Sequence, residues 1–233
     1  MSMFFASSNK VKAAEYQEYG LPFPAKPGED IAEPMAGILY VAAYKAFKAG
    51  PGAIVEDTGL EVEDFDVGVL VRYLEDEADR FAGKRARYQV ALGVNDGTEI
   101  RVYFAETTGV MTKNMSPDAY GFDGHFITDA HFEGDGRTLH EMVVAGEKAK
   151  VSPRRLVVQK FLDNQADLII TGVNMMSEMP FDTWQEDVYP LVRADLLDGK
   201  RSDLECVKRN IDFNTKPFLL TARKVDKKYD FMP

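Results

Sequence analysis

The sequence predicts a mixed α/β protein, and three observations carry that reading. Short apolar runs of strand character alternate along the chain with stretches whose apolar residues recur at helical spacing. Two of the strand-like runs flank Asn95-Asp96-Gly97, a hairpin signal that makes part of the sheet antiparallel. Strands mixed with helices and joined by a long hairpin belong to a sheet with helices packed against it.

In chain order, strands are expected at residues 3–6, 53–56, 88–94 and 100–110, and helices at 10–19, 34–49 and 153–162. The first helix can be capped by Ser7, Ser8 or Asn9 and closes at Gly20. The second carries Ile38, Leu39, Ala42, Ala46 and Ala49 as an apolar stripe. Further on, 167–171 and 217–222 read as buried strands. Between them Met175, Met176 and Met179 precede Phe181 and Trp184, a cluster that is core or, if exposed, a partner surface. There is no internal repeat and no low-complexity segment.

Composition narrows the function. A chain of 233 residues with 45% hydrophobic content can bury a substantial core. A net charge of −10 argues against a nucleic-acid surface, which needs a basic footprint, but leaves room for a nucleotide held by a few local cations. The single cysteine, Cys206, excludes an internal disulfide and a multi-cysteine zinc site, so a reducing, cytoplasmic setting is expected. No apolar run approaches the ~20 residues that span a bilayer, and no signal-peptide pattern is present.

Three segments carry candidate chemistry. Ala53-Ile54-Val55 runs into Glu56 and Asp57 and then Thr58-Gly59, which reads as a strand that ends on two acids and turns; such carboxylates can hold a hard divalent cation. At the start of the first helix Lys10 and Lys12 oppose the helix dipole, an arrangement that an anion between them would favour. In Tyr120-Gly121-Phe122-Asp123, rings beside glycine offer a flat face for a base and Asp123 an acceptor for its N–H groups or a ribose hydroxyl. Each segment alone also reads as an ordinary turn, surface helix or core aromatic. His125, His131 and His140 lack the spacing of a helical metal pair. His125 adjoins the candidate base pocket.

Taken in order, these segments resemble the motifs of the inosine triphosphate pyrophosphatase family. Asn9, Lys12 and Glu15 fill its opening Asn-x-x-Lys-x-x-Glu. Glu33 and the helix with Lys45-Ala46 follow, then Glu56-Asp57-Thr58-Gly59-Leu60, then Tyr120 to Asp123. Gly136-Arg137-Thr138 with Glu141, and Glu147-Lys148 with Ser152-x-Arg154, close the series. There are also departures. Val41 stands for an asparagine, Gly124 for a proline, Pro153 for the histidine that reads the purine, and a loop is reduced to Val67-Gly68-Val69 with Arg72. Phosphate and metal positions are thus better kept than base-reading ones.

The resemblance implies a mixed twisted sheet with flanking helices and two lobes around a central nucleotide-binding cleft. The nucleotide domain would span residues 1–163, with 164–233 as an extension packed on it. The implied reaction converts a nucleoside triphosphate, above all a deaminated purine form such as ITP, dITP or XTP, to monophosphate and pyrophosphate. Mg²⁺ would be held by Glu33 and Asp57 and would polarise the triphosphate. Either Glu56 or Asp57 would orient or deprotonate the attacking water. Asn9, Lys12 and Lys148 would clamp phosphate oxygens, with Glu15 behind Lys12, and Ser8 and Thr58 would also bind the substrate. Tyr120 or Phe122 would stack on the base, with Asp123 and Arg154 at its edge or the sugar. His125 would compensate for the histidine missing at Pro153. A homodimer is expected, with no nucleic-acid or membrane partner. The altered base-reading positions also admit the same chemistry on another standard or modified triphosphate. A catalytically silent nucleotide-binding protein is the remaining alternative.

Overall fold

The computed structural model describes residues 2–28, 31, 33, 37–68, 71, 75–113, 116, 118–171 and the strand at 222–224. Residues 217–221 of the strand expected at 217–222, with Arg72, Val69, Cys206, the methionine cluster and Trp184, lie outside the described residues.

The elements are β1 (Phe4–Ala6), α1 (Lys10–Glu18), β2 (Ala25–Lys26), α2 (Ile38–Ala49), β3 (Ala53–Val62), β4 (Phe65–Gly68), a 3-10 helix (Glu75–Phe81), β5 (Arg85–Asn95), β6 (Glu99–Met111), β7 (Phe126–Thr128), α3 (Asp129–Phe132), α4 (Leu139–Val144), α5 (Pro153–Leu162), β8 (Leu168–Thr171) and β9 (Ala222–Lys224). One sheet runs in the order β2-β1-β3-β5-β6-β8-β9, with β4 also on β3 and β7 also on β6. The β2-β1-β3 pairings are parallel and the others antiparallel, so the sheet is mixed. Among the described residues no helix is long and apolar enough to cross a membrane.

Strand alternation sorts the core onto two faces. On one face Ile54, Leu60 and Val62 of β3 and Tyr88, Val90 and Leu92 of β5 pack with Val157 and Val158 of α5. On the other, Val55, Ala91, Ile100 and Val102 pack under α2. The α2 stripe carries alanines at 42, 43 and 46, all fully buried, so the helix comes down close on the strands. Gly93 of β5 is the point of closest approach: a Cβ there would stand 2.3 Å from the Ala42 carbonyl oxygen. That neighbour is helix backbone and has no rotamer to move. Gly93→Ala is therefore expected to destabilise the fold by ~3 kcal/mol, the upper end for overpacking, read as a lowered urea midpoint.

Two differences from the sequence expectation bear on the site. The helix expected at 34–49 is α2, described from Ile38 with Gly37 as its N-cap; residues 34–36 lie outside the described set. The strand expected to stop at Glu56 continues to Val62, because β5 pairs with it through Thr58↔Val90 and Gly59↔Gln89 to Val62↔Ala86. The turn comes at residues 63–64, where Asp64 takes a positive φ of 68°. Glu56 and Asp57 are thus adjacent residues in the middle of a strand, and they face opposite sides of the sheet.

Candidate active site

The cleft opens where β3 has an uncovered edge. β1 pairs with β3 only as far as Ile54, and β4 takes up pairing at Leu60. Between these points side chains from both faces of β3 reach one hollow of about 730 Å³, within the usual range for a small-molecule site. Ser8, Asn9, Lys12, Glu33, Glu56, Asp57, Thr58, Tyr120, Phe122, Asp123 and Arg154 all line it. Lys148 does not line it.

The start of α1 forms one wall. Asn9 caps the helix, its Oδ1 accepting from the amides of Val11 at 3.0 Å and Lys12 at 3.2 Å. Its Nδ2 donates to the Tyr120 hydroxyl across the cleft mouth. Lys12 lies 2.9 Å from Glu56 Oε1 and donates to Thr58 Oγ1 at 3.4 Å, while Lys10 is exposed.

On the face of β3 that carries Glu56, a chain of charges is buried. Arg154 Nε meets Glu56 Oε2 at 2.9 Å, Arg154 NH1 meets Glu15 Oε2 at 2.6 Å, and Lys148 Nζ meets Glu15 at 2.9 Å and Asp123 Oδ2 at 2.6 Å. Burial alone would raise the Glu56 carboxyl, but the Arg154 guanidinium and the Lys12 ammonium outweigh it and hold Glu56 well below the usual carboxylate range. Thr58 adds a hydroxyl donor to the same carboxylate.

The opposite face is different. There Lys45 Nζ bridges Glu33 Oε1 and Asp57 Oδ1, at 2.9 Å to each. Asp57 Oδ2 is buried and has no hydrogen-bond partner among the described residues. Burial raises the Asp57 carboxyl to about 6, against the pull of Lys45 and with the help of Glu33. The two neighbouring acids therefore differ sharply in basicity.

Several residues sit differently from their sequence-based roles. Glu15 is taken by Arg154 and Lys148 rather than Lys12, because Lys12 has the closer acid in Glu56. Lys148 is only 6% exposed and lies behind Asp123, where two carboxylates neutralise it. Arg154 is 4% exposed and is similarly enclosed. Phe122 packs edge-on against Tyr88 and Phe126, which leaves Tyr120, half-exposed, as the ring presented at the mouth. His125 is buried outside the cleft lining, with Nδ1 3.1 Å from the Thr112 carbonyl oxygen and 3.3 Å from Asp79. Pro153 occupies the first turn of α5, a position suited to its missing N–H. Thr138 and Glu141 form a reciprocal capping box on α4, so that motif builds a helix start. Sequence reasoning gave Lys45 no role. Its signal was position: Lys45 follows Ile38 and Ala42 at helical spacing, a cation on the apolar stripe.

The mixed sheet gathers a capped helix start, paired carboxylates and cations around one cleft, and so defines an α/β protein with a charged site of small-molecule size. The pattern of the Ham1 family matches residues 3–164, and the chain belongs to that family. This is the inosine triphosphate pyrophosphatase family, a family of nucleotide pyrophosphatases that work with a divalent metal. Comparison with curated proteins gives no match.

Proposed function

We propose that this chain hydrolyses nucleoside triphosphates, preferentially deaminated purine forms such as ITP, dITP and XTP, to monophosphate and pyrophosphate, with Mg²⁺ as cofactor. The observation that carries this reading is geometric: Glu33 and the buried Asp57 meet one cation in the cleft, and among the described residues Asp57 Oδ2 has no hydrogen-bond partner. Two carboxylates on a common cation suit Mg²⁺, which takes one or two protein carboxylates and leaves its other positions to water and phosphate. Glu33 and Asp57 would hold it, and when bound it would neutralise phosphate charge and polarise phosphorus.

The protein groups divide the remaining work. Asn9 and Ser8 line the wall where the triphosphate would lie, and Lys12 and Thr58 supply a cation and a hydroxyl to its oxygens. Asp57 is the better proton acceptor for the attacking water, since Glu56 is held as a fixed anion by Arg154 and Lys12. Water oxygen bonds to the α-phosphorus, its proton passes to Asp57, and the bond from the α-phosphorus to the bridging oxygen breaks, with pyrophosphate leaving. Tyr120 stacks on the base at the mouth. Asp123, tied to Lys148, faces the base edge. The extension from 164 onward contributes β8, paired with β6, and β9 beyond it to the sheet, and we assign it no separate activity.

Product analysis over inosine, xanthosine, guanosine, thymidine and uridine triphosphates, ribo and deoxy, tests the reading. Monophosphate plus pyrophosphate from the inosine and xanthosine forms is expected. Strong turnover of another base would move the specificity and keep the chemistry; none with any base would overturn the proposal. The pH profile gives a second test. Asp57 must be deprotonated whether it accepts a proton or holds metal, so kcat/KM is expected to fall as pH drops through about 6. Because protons and Mg²⁺ compete for one carboxylate, raising Mg²⁺ should move that limb to lower pH. A profile flat between pH 5 and 7 at Mg²⁺ too low to saturate the site would rule Asp57 out of both roles.

A further inference from the structure

Lys45 holds the two carboxylates to which the proposed function gives the metal. Its stem rises from the apolar face of α2, and its ammonium contacts Glu33 Oε1 and Asp57 Oδ1 at 2.9 Å each. The side chain is 18% exposed, so the contact is largely screened from solvent. Lys12, the neighbouring cation, is engaged by Glu56 on the opposite face of β3. An ammonium that touches one oxygen of each of two acids occupies the position of a bridging ion, and Asp57 Oδ2 still has no partner among the described residues.

We infer that Lys45 is a tethered stand-in for the metal, a positioning residue that keeps Glu33 and Asp57 together and excludes a bare divalent cation until nucleotide arrives. The inference rests on the proposed placement of the metal. Mg²⁺–oxygen bonds of ~2.1 Å are shorter than the ammonium contacts, so a metal between these acids would require the ammonium to leave. A divalent ion beside a fixed positive charge is also electrostatically disfavoured in a largely dry site. The triphosphate removes both obstacles. Its oxygens offer the ammonium a new partner in the same cleft, which Lys45 also lines. Metal and nucleotide then bind with positive coupling, and the coupling acts equally on both ligands. Free metal would not load the site alone, and the nucleotide would bind best as its metal complex.

The test measures Mn²⁺ binding by electron paramagnetic resonance, with and without α,β-imido inosine triphosphate, so turnover does not enter. Wild-type protein is expected to bind Mn²⁺ at least ten-fold more tightly with the nucleotide than without it. Lys45→Met and Lys45→Gln are expected to bind Mn²⁺ at least ten-fold more tightly than wild type in the absence of nucleotide, and to lose most of the coupling. Glutamine keeps a hydrogen-bonding head without the charge, which guards against a packing defect in the methionine variant. Lys48→Met removes a second cation of the cleft lining from the same helix and is expected to leave the affinity near wild type. An equal gain in Lys48→Met would mean that general charge, and not the bridge, sets the affinity. Bare Mn²⁺ binding to wild type as tightly as with nucleotide, or no gain in either folded Lys45 variant, would overturn the inference and leave the metal assignment standing. Failure of wild type to bind Mn²⁺ under either condition would instead overturn the metal assignment, and the inference with it.

Discussion

Arg154→Met is expected to destabilise the protein by about 3–5 kcal/mol at neutral pH, the cost of leaving buried charge uncompensated. Arg154 joins three elements that are distant in sequence: its guanidinium binds Glu56 on β3 and Glu15 on α1 from its own place on α5. It is itself almost fully buried, and its removal leaves buried Glu56 with Lys12 alone and part-buried Glu15 with Lys148 alone. Methionine retains much of the stem packing, so the loss reports charge more than volume. The pH dependence identifies the cause. In the wild type Glu56 is depressed, so its contribution is present above the ordinary carboxylate range and lost as pH falls through its lowered folded value. In the variant burial dominates and the carboxyls protonate more readily, so the deficit relative to wild type should shrink as pH falls. Urea denaturation of both proteins at pH 7 and pH 5 measures this. A deficit that stays constant would assign the loss to packing.

Asp57→Asn is expected to lower turnover about 1,000-fold, within the range for losing a general base. The change is nearly isosteric and leaves the cleft shape intact. It removes the one strand acid whose basicity suits proton transfer, along with a carboxylate oxygen proposed for the metal. Stability should respond differently. A buried carboxyl raised to about 6 is a poor place for a charge at pH 7, and asparagine does not carry one. Against this stands the lost contact with the Lys45 ammonium, which keeps Glu33, so the melting temperature of the variant is expected to stay close to that of the wild type. Activity lost together with stability would point to a structural role; activity retained would remove Asp57 from the mechanism.

Where a signal was local, the sequence could be read directly. Asn9 caps α1, the Asn95-Asp96-Gly97 turn joins β5 and β6, and the α2 stripe faces the sheet. What escaped was set by pairing partners far along the chain. Glu56 and Asp57 looked like the end of a strand because Thr58 and Gly59 are turn-formers. The antiparallel register with β5 overrides that preference and carries the strand six residues further than Glu56. From the sequence, Lys148 and Arg154 are expected to contact the phosphates and the base or sugar. Their burial depends on Glu15, more than 130 positions away, a separation that no local window contains. The departure at Pro153 has a local explanation in the helix start, and His125 has its own partners away from the cleft.

The alternation of β3 has a consequence for how such a site can change over time. Adjacent acids enter one cleft from opposite faces of the strand: α1 and α5 supply the partners of Glu56, α2 a partner of Asp57. Substitutions in α2 can retune the Asp57 side without disturbing the Glu56 lattice, and the reverse holds for α5. A single-residue insertion or deletion before Glu56 is another matter, since it would send each acid to the face built for its neighbour. This stretch of strand is therefore open to gradual adjustment through the helices around it and closed to any change in its length.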